Sequence, residues 1–199
     1  MNLMQVSLCA MALAIALPLA AQDKPPQMTA EQQAMMQAWE KAATPGEPHK
    51  QLATMQGKWN VKQTMWMDPK SEPMVQTGSA TNKIELGGRH LRQDYHGQWM
   101  GKPFEGIGYT GYDNVTGKYY SSWIDSGSTG MFVSQGNYDP ASKSYVFKGE
   151  FADAAAGGAK IPVRQVLRVV DNDHHVFEMY ETRDGKETRT MQLDYTRQK

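Results

Sequence analysis

The chain has 199 residues, and its 21 basic and 21 acidic side chains give a formal net charge of zero. This length suits one domain or at most two, and the balanced charge gives no sign of the basic surface through which proteins bind nucleic acids. Apolar residues make up 40% of the chain, enough for one core, and the 18 glycines and nine tyrosines favour a β-rich, turn-rich fold over a helical bundle.

An apolar run near the start of the chain has the features of an export signal. It extends from Val6 to Leu19, is rich in alanine and leucine, and gives way to polar residues at Gln22. A membrane-spanning helix needs about 20 apolar residues, so the run is short for a permanent anchor. We therefore expect residues 1–21 to be a secretory signal peptide, cleaved near Ala21. The mature protein is then periplasmic or secreted, with no stable membrane insertion.

The only cysteine of the chain, Cys9, lies inside this run. The mature protein is therefore predicted to contain no disulfide, no thiol nucleophile and no cysteine-ligated metal. Its stability must then come from packing.

The next segment, residues 22–56, is predicted to be a tether followed by two helices. Thr29 and Gln32 have the spacing of a capping box at the start of the first helix, which we expect over residues 30–42. A second, shorter helix is expected within residues 49–56. We interpret both helices as a lid or plug on the following domain, in preference to an arm that binds a partner protein.

From Gly57 onward, apolar and polar residues alternate with a period of two, and turn signals recur about every 8 to 14 residues. No helical pattern interrupts the series, which is typical of an antiparallel meander. An open sheet of ten strands must curl or split, and closure removes its exposed edges. We therefore predict an all-β domain over residues 57–199, an up-and-down antiparallel barrel of about ten strands with an N-terminal helical segment; a two-sheet sandwich is the alternative. The strands are expected near residues 57–67, 74–86, 89–96, 104–112, 118–125, 130–138, 144–151, 161–170, 174–182 and 187–196.

Two residues near the ends of this series are suited to joining its first and last strands. Trp59 is a large flat side chain in the first strand, and Arg197 ends the apolar row of the last strand. A guanidinium can cover an indole ring as a cation–π partner. We expect Trp59 and Arg197 to close the barrel structurally.

The same residues carry a resemblance to known proteins. Gly57-Lys58-Trp59 together with the late Arg197 resembles the signature of the calycin superfamily, which includes lipocalins and fatty-acid-binding proteins. Several longer motifs resemble a family of secreted bacterial proteins of unknown function with a calycin-like barrel. These motifs are Thr44-Pro45-Gly46-Glu47-Pro48-His49, Gly87-Gly88-Arg89, Phe104-Glu105-Gly106-Ile107-Gly108, Gly111-Tyr112-Asp113 and Trp123-Ile124-Asp125. The resemblance covers about Met28 to Arg197 and implies a fold and a secreted setting, but no activity, ligand or catalytic residue.

Metal and cofactor chemistry has little support in the sequence. The five histidines do not have the spacing of a zinc motif. Fourteen methionines raise the idea of a copper(I) site, because soft thioethers suit that ion. We favour a role in the core, or as an adaptable pocket lining, for the methionines in the predicted strands, which are Met65, Met67, Met131, Met179 and Met191. No metal and no cofactor is predicted.

The remaining candidates point to a binding pocket. Tyr119, Ser121, Trp123 and Asp125 share one face of a predicted strand, and Gly106 and Gly108 leave room on the strand before it. Gln63 and Gln165 interrupt apolar faces, and an apolar cavity with a few fixed polar groups is typical of small-molecule sites.

The favoured hypothesis is non-enzymatic binding of a small apolar or amphipathic molecule inside the barrel. The candidate lining or gating residues are Trp123, Tyr119, Asp125, Arg89 and Glu105. One alternative is a hydrolase or isomerase that uses Glu105 or Asp125 in general acid–base catalysis. Another is an envelope structural or stress protein whose barrel is filled. No catalytic residue and no oligomeric state is predicted.

Overall fold

A computed structural model describes residues 28–68 and 71–199. The predicted signal peptide, its cleavage position and most of the tether lie outside these residues. The chain divides into two compact units between Gln37 and Ala38, and all the strands belong to the second unit.

Among the described residues, two helices precede ten strands. The elements are α1 (Ala30–Ala43), α2 (Glu47–Ala53), β1 (Gly57–Met65), β2 (Met74–Glu85), β3 (His90–Trp99), β4 (Lys102–Asp113), β5 (Lys118–Asp125), β6 (Phe132–Asp139), β7 (Ser144–Asp153), β8 (Ala159–Val169), β9 (His174–Arg183) and β10 (Lys186–Arg197). Within the described ranges, neither helix has the length and apolarity needed to cross a membrane.

The first helix starts at the predicted capping box. The backbone N–H of Gln32 donates to Thr29 Oγ1 at 3.2 Å, and that of Thr29 donates to Gln32 Oε1 at 2.9 Å. Within the second unit, the Asn114 amide donates to the carbonyl oxygens of Ala42 and Thr44 at 3.0 and 2.8 Å. A turn of the barrel therefore holds the C-terminal end of α1.

The ten strands form one closed barrel. Each strand pairs antiparallel with its neighbours in sequence, and β1 pairs with β10 to complete the circle. The predicted all-β, up-and-down fold is confirmed, and the two-sheet sandwich is wrong. Closure leaves no strand with an unpaired edge, the exposed surface that isolated sheets must protect.

The two ends of the barrel differ. The plugged end carries the first residue of β1 and the last of β10; the open end is the opposite one, where β1 finishes at Met65. At the plugged end, Leu52 of α2 and Met55, which follows this helix, are buried in the barrel. They join a cluster of four buried side chains from three strands, which are Leu91, Tyr119, Tyr145 and Phe147. The second helix is thus a plug built into the core.

The seam between β1 and β10 is fixed at the same end. Trp59 lies opposite Arg197 in the strand register, and the guanidinium carbon is 4.1 Å from the centroid of the indole ring. Arg197 also donates to the carbonyl oxygens of Thr54 and Gln56, at 3.0 and 2.6 Å. Trp59 Nε1 donates to the Met55 carbonyl at 3.1 Å. The pair therefore binds the end of α2 as well as joining the two strands.

One strand contains an irregularity that changes which way its residues face. The pairing of β10 with β9 shifts by one residue between Arg189 and Met191, which marks a β-bulge. Met191 faces the interior, whereas the guanidinium of Arg189 lies outside, 4.4 Å from the centroid of a ring of Trp66.

The boundaries of β3 and β4 differ from the sequence prediction, which left residues 97–103 as a connection. Both strands continue to a tight turn at Met100 and Gly101, whose φ angles are 50° and 77°. Gly97 belongs to the strand, where it pairs with Phe104. A Cβ at this position would lie 2.6 Å from the hydroxyl oxygen of Tyr95, so only glycine leaves room for the tyrosine ring. What reads as a chain-breaking glycine instead makes room for a ring.

Replacement of the seam tryptophan should strongly destabilise the fold. Trp59 is 1% exposed, so we expect Trp59→Ala to lower the free energy of unfolding by about 3–5 kcal/mol in urea melts. Trp39 is 70% exposed, and Trp39→Ala should change the free energy of unfolding by no more than about 0.5 kcal/mol. Similar losses in both variants would contradict the structural role given to the seam.

Candidate ligand-binding lumen

A row of small side chains lines part of the barrel interior, here called the lumen. Thr110, Ser121, Ser134 and Gly149 pair directly with one another, one residue on each of four adjacent strands. Inward-facing side chains fill the middle of a small barrel when they are large. This row therefore leaves space beside it.

Several inward side chains away from the strand ends are only half-buried. Ser121 pairs with the buried Ser134, and Phe177 and Leu193 pack against the buried cluster around Trp59. In a closed wall, an inward side chain far from the ends meets solvent only through the lumen. These inward positions are therefore less completely buried than those of the two core clusters.

Trp123 lies flat against the wall. A Cβ on Gly106 would be 2.1 Å from Cζ2 of the indole, and one on Gly108 would be 3.1 Å from Cε3. Trp123 Nε1 donates to Asp125 Oδ2 at 2.8 Å, and the backbone N–H of Gly127 donates to Asp125 Oδ1 at 2.8 Å. The space that the glycines provide is thus taken by the indole.

Fixed amide groups interrupt the apolar lining. Tyr95 donates its hydroxyl hydrogen to Gln63 Oε1 at 2.9 Å, and Ser134 donates to Gln165 Oε1 at 3.1 Å. Gln76 Oε1 is buried and has no hydrogen-bond partner among the described residues. These groups could orient a polar part of a bound molecule, as a small number of polar side chains do in apolar pockets.

Charged groups meet near the open end. Glu181 faces the lumen, and its Oε2 accepts a hydrogen bond from Arg183 Nε at 2.9 Å. Arg183 also donates to Asp153 Oδ2 at 2.6 Å, and this hydrogen bond lowers the pKa of Asp153. The network ties β9 to β7, which are not neighbours in the barrel, across the loop before β8.

Three of the five sequence-predicted lining residues face the interior: Tyr119, Trp123 and Asp125. Tyr119 lies in the buried cluster at the plugged end, where its hydroxyl donates to Gln51 Oε1 at 3.2 Å. Burial raises the pKa of Tyr119 to about 12. Trp123 and Asp125 lie toward the open end, so the three residues line the barrel at different depths.

The other two lie elsewhere. Glu105 points outward, is 73% exposed, and has His96 Nδ1 at 3.5 Å from its carboxylate. Arg89 is in the turn after β2, at the plugged end, where its Nη1 donates to the Leu86 carbonyl at 2.8 Å. It lines an outer groove of about 300 Å³. Since Glu105 and Asp125 are on opposite faces of the wall, they cannot act as a pair on one substrate.

Sequence reasoning missed Phe177 and Leu193 as lining residues. The alternation along β9, where Phe177 shares a face with His175 and Met179, was the available signal. Two of the strand methionines considered as core, Met67 and Met131, are instead exposed in loops. Within the described ranges, no group of three or more histidine, cysteine or acidic residues could hold a metal ion.

His175 is a buried histidine between the seam and the lumen. Its ring stacks on Tyr195, with centroids 4.2 Å apart, and meets Trp59 edge-on at 4.3 Å. Burial, and then the positive charge of Arg197, lowers the pKa of His175 to about 3. The imidazole is therefore neutral at physiological pH.

These features define a closed ten-stranded barrel with one plugged end and a mixed apolar and amide lining. The chain belongs to the family described as "Protein of unknown function (DUF1579)", which matches residues 44–197. The family resemblance predicted from the sequence is thereby confirmed. A search of curated proteins finds no match to the chain.

A comparison with solved structures finds a similar fold in a mycobacterial protein. Rv2717c from M. tuberculosis is similar over 78% of this chain and 100% of its own, with a TM-score of 0.57 and 14% identity. A redesigned β-barrel matches 74% of this chain and 95% of its own, with a TM-score of 0.38 and 15% identity. At these identities, the likeness to Rv2717c extends to the fold alone.

A side chain added beneath Trp123 should dislodge it. We expect Gly106→Ala to lower the free energy of unfolding by about 1–3 kcal/mol in urea melts, because the new methyl group overlaps the indole. Among the described residues, no atom lies within 4 Å of a Cβ built on Gly130, so Gly130→Ala should be close to neutral. Equal stability of both variants would mean that Trp123 does not rest on Gly106.

The buried histidine should make the protein sensitive to acid. The folded-state pKa of His175 lies below the ordinary value of 6.5, so the unfolded chain takes up a proton first as the pH falls. The stability that the neutral imidazole contributes to the folded state is complete above pH 6.5 and is lost as the pH falls toward 3. The expected slope is up to about 1.4 kcal/mol per pH unit. His175→Phe should remove this slope from unfolding free energies measured between pH 7 and 4.

The neighbouring His174 provides the control, since it is exposed and pairs with Asp171 on the outside. His174→Phe should retain the acid slope of the unsubstituted protein. If His175→Phe retains it too, the proton uptake that drives acid unfolding occurs elsewhere.

Proposed function

We propose that this protein binds a small apolar or amphipathic molecule in the lumen of its barrel, without catalysing a reaction on it, in the periplasm or outside the cell. The observation that carries the proposal is the residual exposure of Ser121, Phe177 and Leu193, which face inward far from the ends of a closed wall. We attribute this exposure to a lumen that the protein's own side chains do not fill.

The lining supports the proposal chemically. Trp123, Phe177 and Leu193 offer apolar and aromatic surface, and Gln63 and Gln165 add amide groups at fixed positions. Small-molecule pockets combine such a surface with a few polar groups that fix orientation. Since α2 occupies one end, entry from the open end is favoured.

The arrangement of the acidic groups favours binding over catalysis. Both carboxylate oxygens of Asp125 already accept hydrogen bonds, from Trp123 and Gly127. Glu181 is paired with Arg183. A general acid or base must reach a reacting proton on the substrate, and these carboxylates are held by other partners.

The location outside the cytoplasm rests on the apolar run of residues 6–19 and is a separate part of the proposal. Fractionation of the cells that make the protein tests it. A mature chain that starts near Gln22 and is released with the periplasm would support export, and a full-length cytoplasmic chain would contradict it.

The bound molecule should survive gentle purification. Native mass spectrometry of protein isolated from its own cells, without added ligand, is expected to show a defined additional mass that is lost on denaturation. A chain that carries no additional mass and also fails to bind uncharged apolar dyes would overturn the proposed function.

Filling the lumen should block binding. We expect Ser121→Leu to weaken the binding of N-phenyl-1-naphthylamine, an uncharged apolar dye, by at least about tenfold, equivalent to about 1.4 kcal/mol. Fluorescence titration measures the affinity. The adjacent Ser122 faces outward, so Ser122→Leu should leave the affinity unchanged. Equal effects of the two substitutions would place the dye outside the barrel.

A further inference from the structure

Four methionines form a continuous row across four adjacent strands. Met74 pairs with Met65, Met65 pairs with Met191, and Met191 pairs with Met179. The row crosses β2, β1, β10 and β9 near the open end, and it includes the seam of the barrel. It is visible only in the register, because the four residues are dispersed along the chain.

All four side chains face the lumen. Met65 is 7% exposed and shares its face with the buried Gln63. The other three are half-buried and lie at inward positions. Met74 shares its face with Gln76, and Met179 lies opposite the buried Gln165.

Amide hydrogens already point at the sulfur atoms of this row. Gln63 Nε2 lies 2.6 Å from Met65 Sδ and 4.0 Å from Met191 Sδ, and Gln76 Nε2 lies 3.5 Å from Met74 Sδ. The hydrogens of an amide nitrogen carry partial positive charge. Two sulfur atoms from different strands therefore converge on one electropositive position.

A soft cation fits this arrangement. Neighbouring side chains in paired strands have Cβ atoms about 4.5–5.5 Å apart, and methionine has a long, flexible side chain, so three adjacent sulfurs can reach one ion. Thioethers are soft ligands, and in proteins they select copper(I) over harder divalent ions. A singly charged ion also needs less compensating charge than a divalent one.

Negative charge is available in the same part of the lumen. Glu181 faces inward two residues beyond Met179 on β9. Arg183 binds Oε2 of this carboxylate. Its Oε1 takes part in no hydrogen bond found within the described residues.

We propose that this methionine row is a binding site for copper(I), a soft monovalent cation. Met65 and Met191 are the central ligands, and the third thioether comes from Met74 or Met179. The ion binds beside Met65 Sδ, where the Gln63 amide nitrogen lies. The site does not depend on the apolar ligand of the proposed function, and binding involves no change of oxidation state.

Silver(I) is the probe for the test, because it has the same charge and softness and does not undergo redox cycling. Titration followed by native mass spectrometry should show one tightly bound Ag⁺ per chain, whereas Zn²⁺ should not bind at the same concentration. The double variant Met65→Leu/Met191→Leu should bind Ag⁺ at least about tenfold more weakly, a loss of about 1.4 kcal/mol. Anaerobic competition with a coloured copper(I) chelator then repeats the comparison with copper.

The control is the double variant Met67→Leu/Met100→Leu, which removes two methionines that are 67% and 69% exposed. It should bind Ag⁺ as the unsubstituted protein does. Equal losses in both double variants, or unchanged affinity in the row variant, would overturn the proposal and leave the row as lining only.

The double variant Met65→Leu/Met191→Leu is expected to fold, so the test does not fail for lack of folded protein. Exchange of methionine for leucine in a core usually costs less than about 1.5 kcal/mol, and circular dichroism checks the result. The unsubstituted protein offers a second measurement, the methyl NMR signals of its methionines. Ag⁺ should shift the signals of Met65 and Met191 and leave that of Met100 in place; a shift confined to Met100 or to other exposed methionines would overturn the proposal.

Discussion

The barrel depends on the contact between Arg197 and Trp59. The guanidinium covers the indole from the strand opposite and donates to carbonyl oxygens at the end of α2, while the indole N–H binds the carbonyl of Met55. One pair of side chains therefore joins the first strand, the last strand and the helix that plugs one end. A delocalised, planar cation with several donors suits this task better than an ammonium group.

The interior is kept partly free by where its large rings are placed. Trp123 lies on Gly106 and Gly108, and Tyr95 lies against Gly97, so that two large rings occupy the wall instead of the centre. Glycine usually weakens a strand, but in these strands it also makes room for an aromatic ring. It lets neighbouring aromatic rings lie against the wall, and the proposed binding of a ligand depends on this placement.

Sequence patterns predicted the ten strands, the closed barrel and the pairing at the seam, because each follows from alternation and from the need to bury the sheet edges. The outward position of Glu105 could have been read from the same alternation, since its neighbours Phe104 and Gly106 face inward. The shared inward face from Met191 to Arg197 in β10 also follows from alternation. The face of Arg189 does not, because the bulge between Arg189 and Met191 has no turn residue or proline to mark it. For the same reason the methionine row appears only once cross-strand register is known.

That bulge also decides the electrostatic character of the entrance. In a regular strand, residues two apart share a face, so Arg189 would accompany Met191 toward the interior. The extra residue turns the guanidinium outward, where it lies over Trp66 and binds Glu178. If the same residues formed a regular strand without the bulge, a permanent positive charge would lie at the entrance of the barrel, and the same fold would then favour anions over neutral or cationic guests.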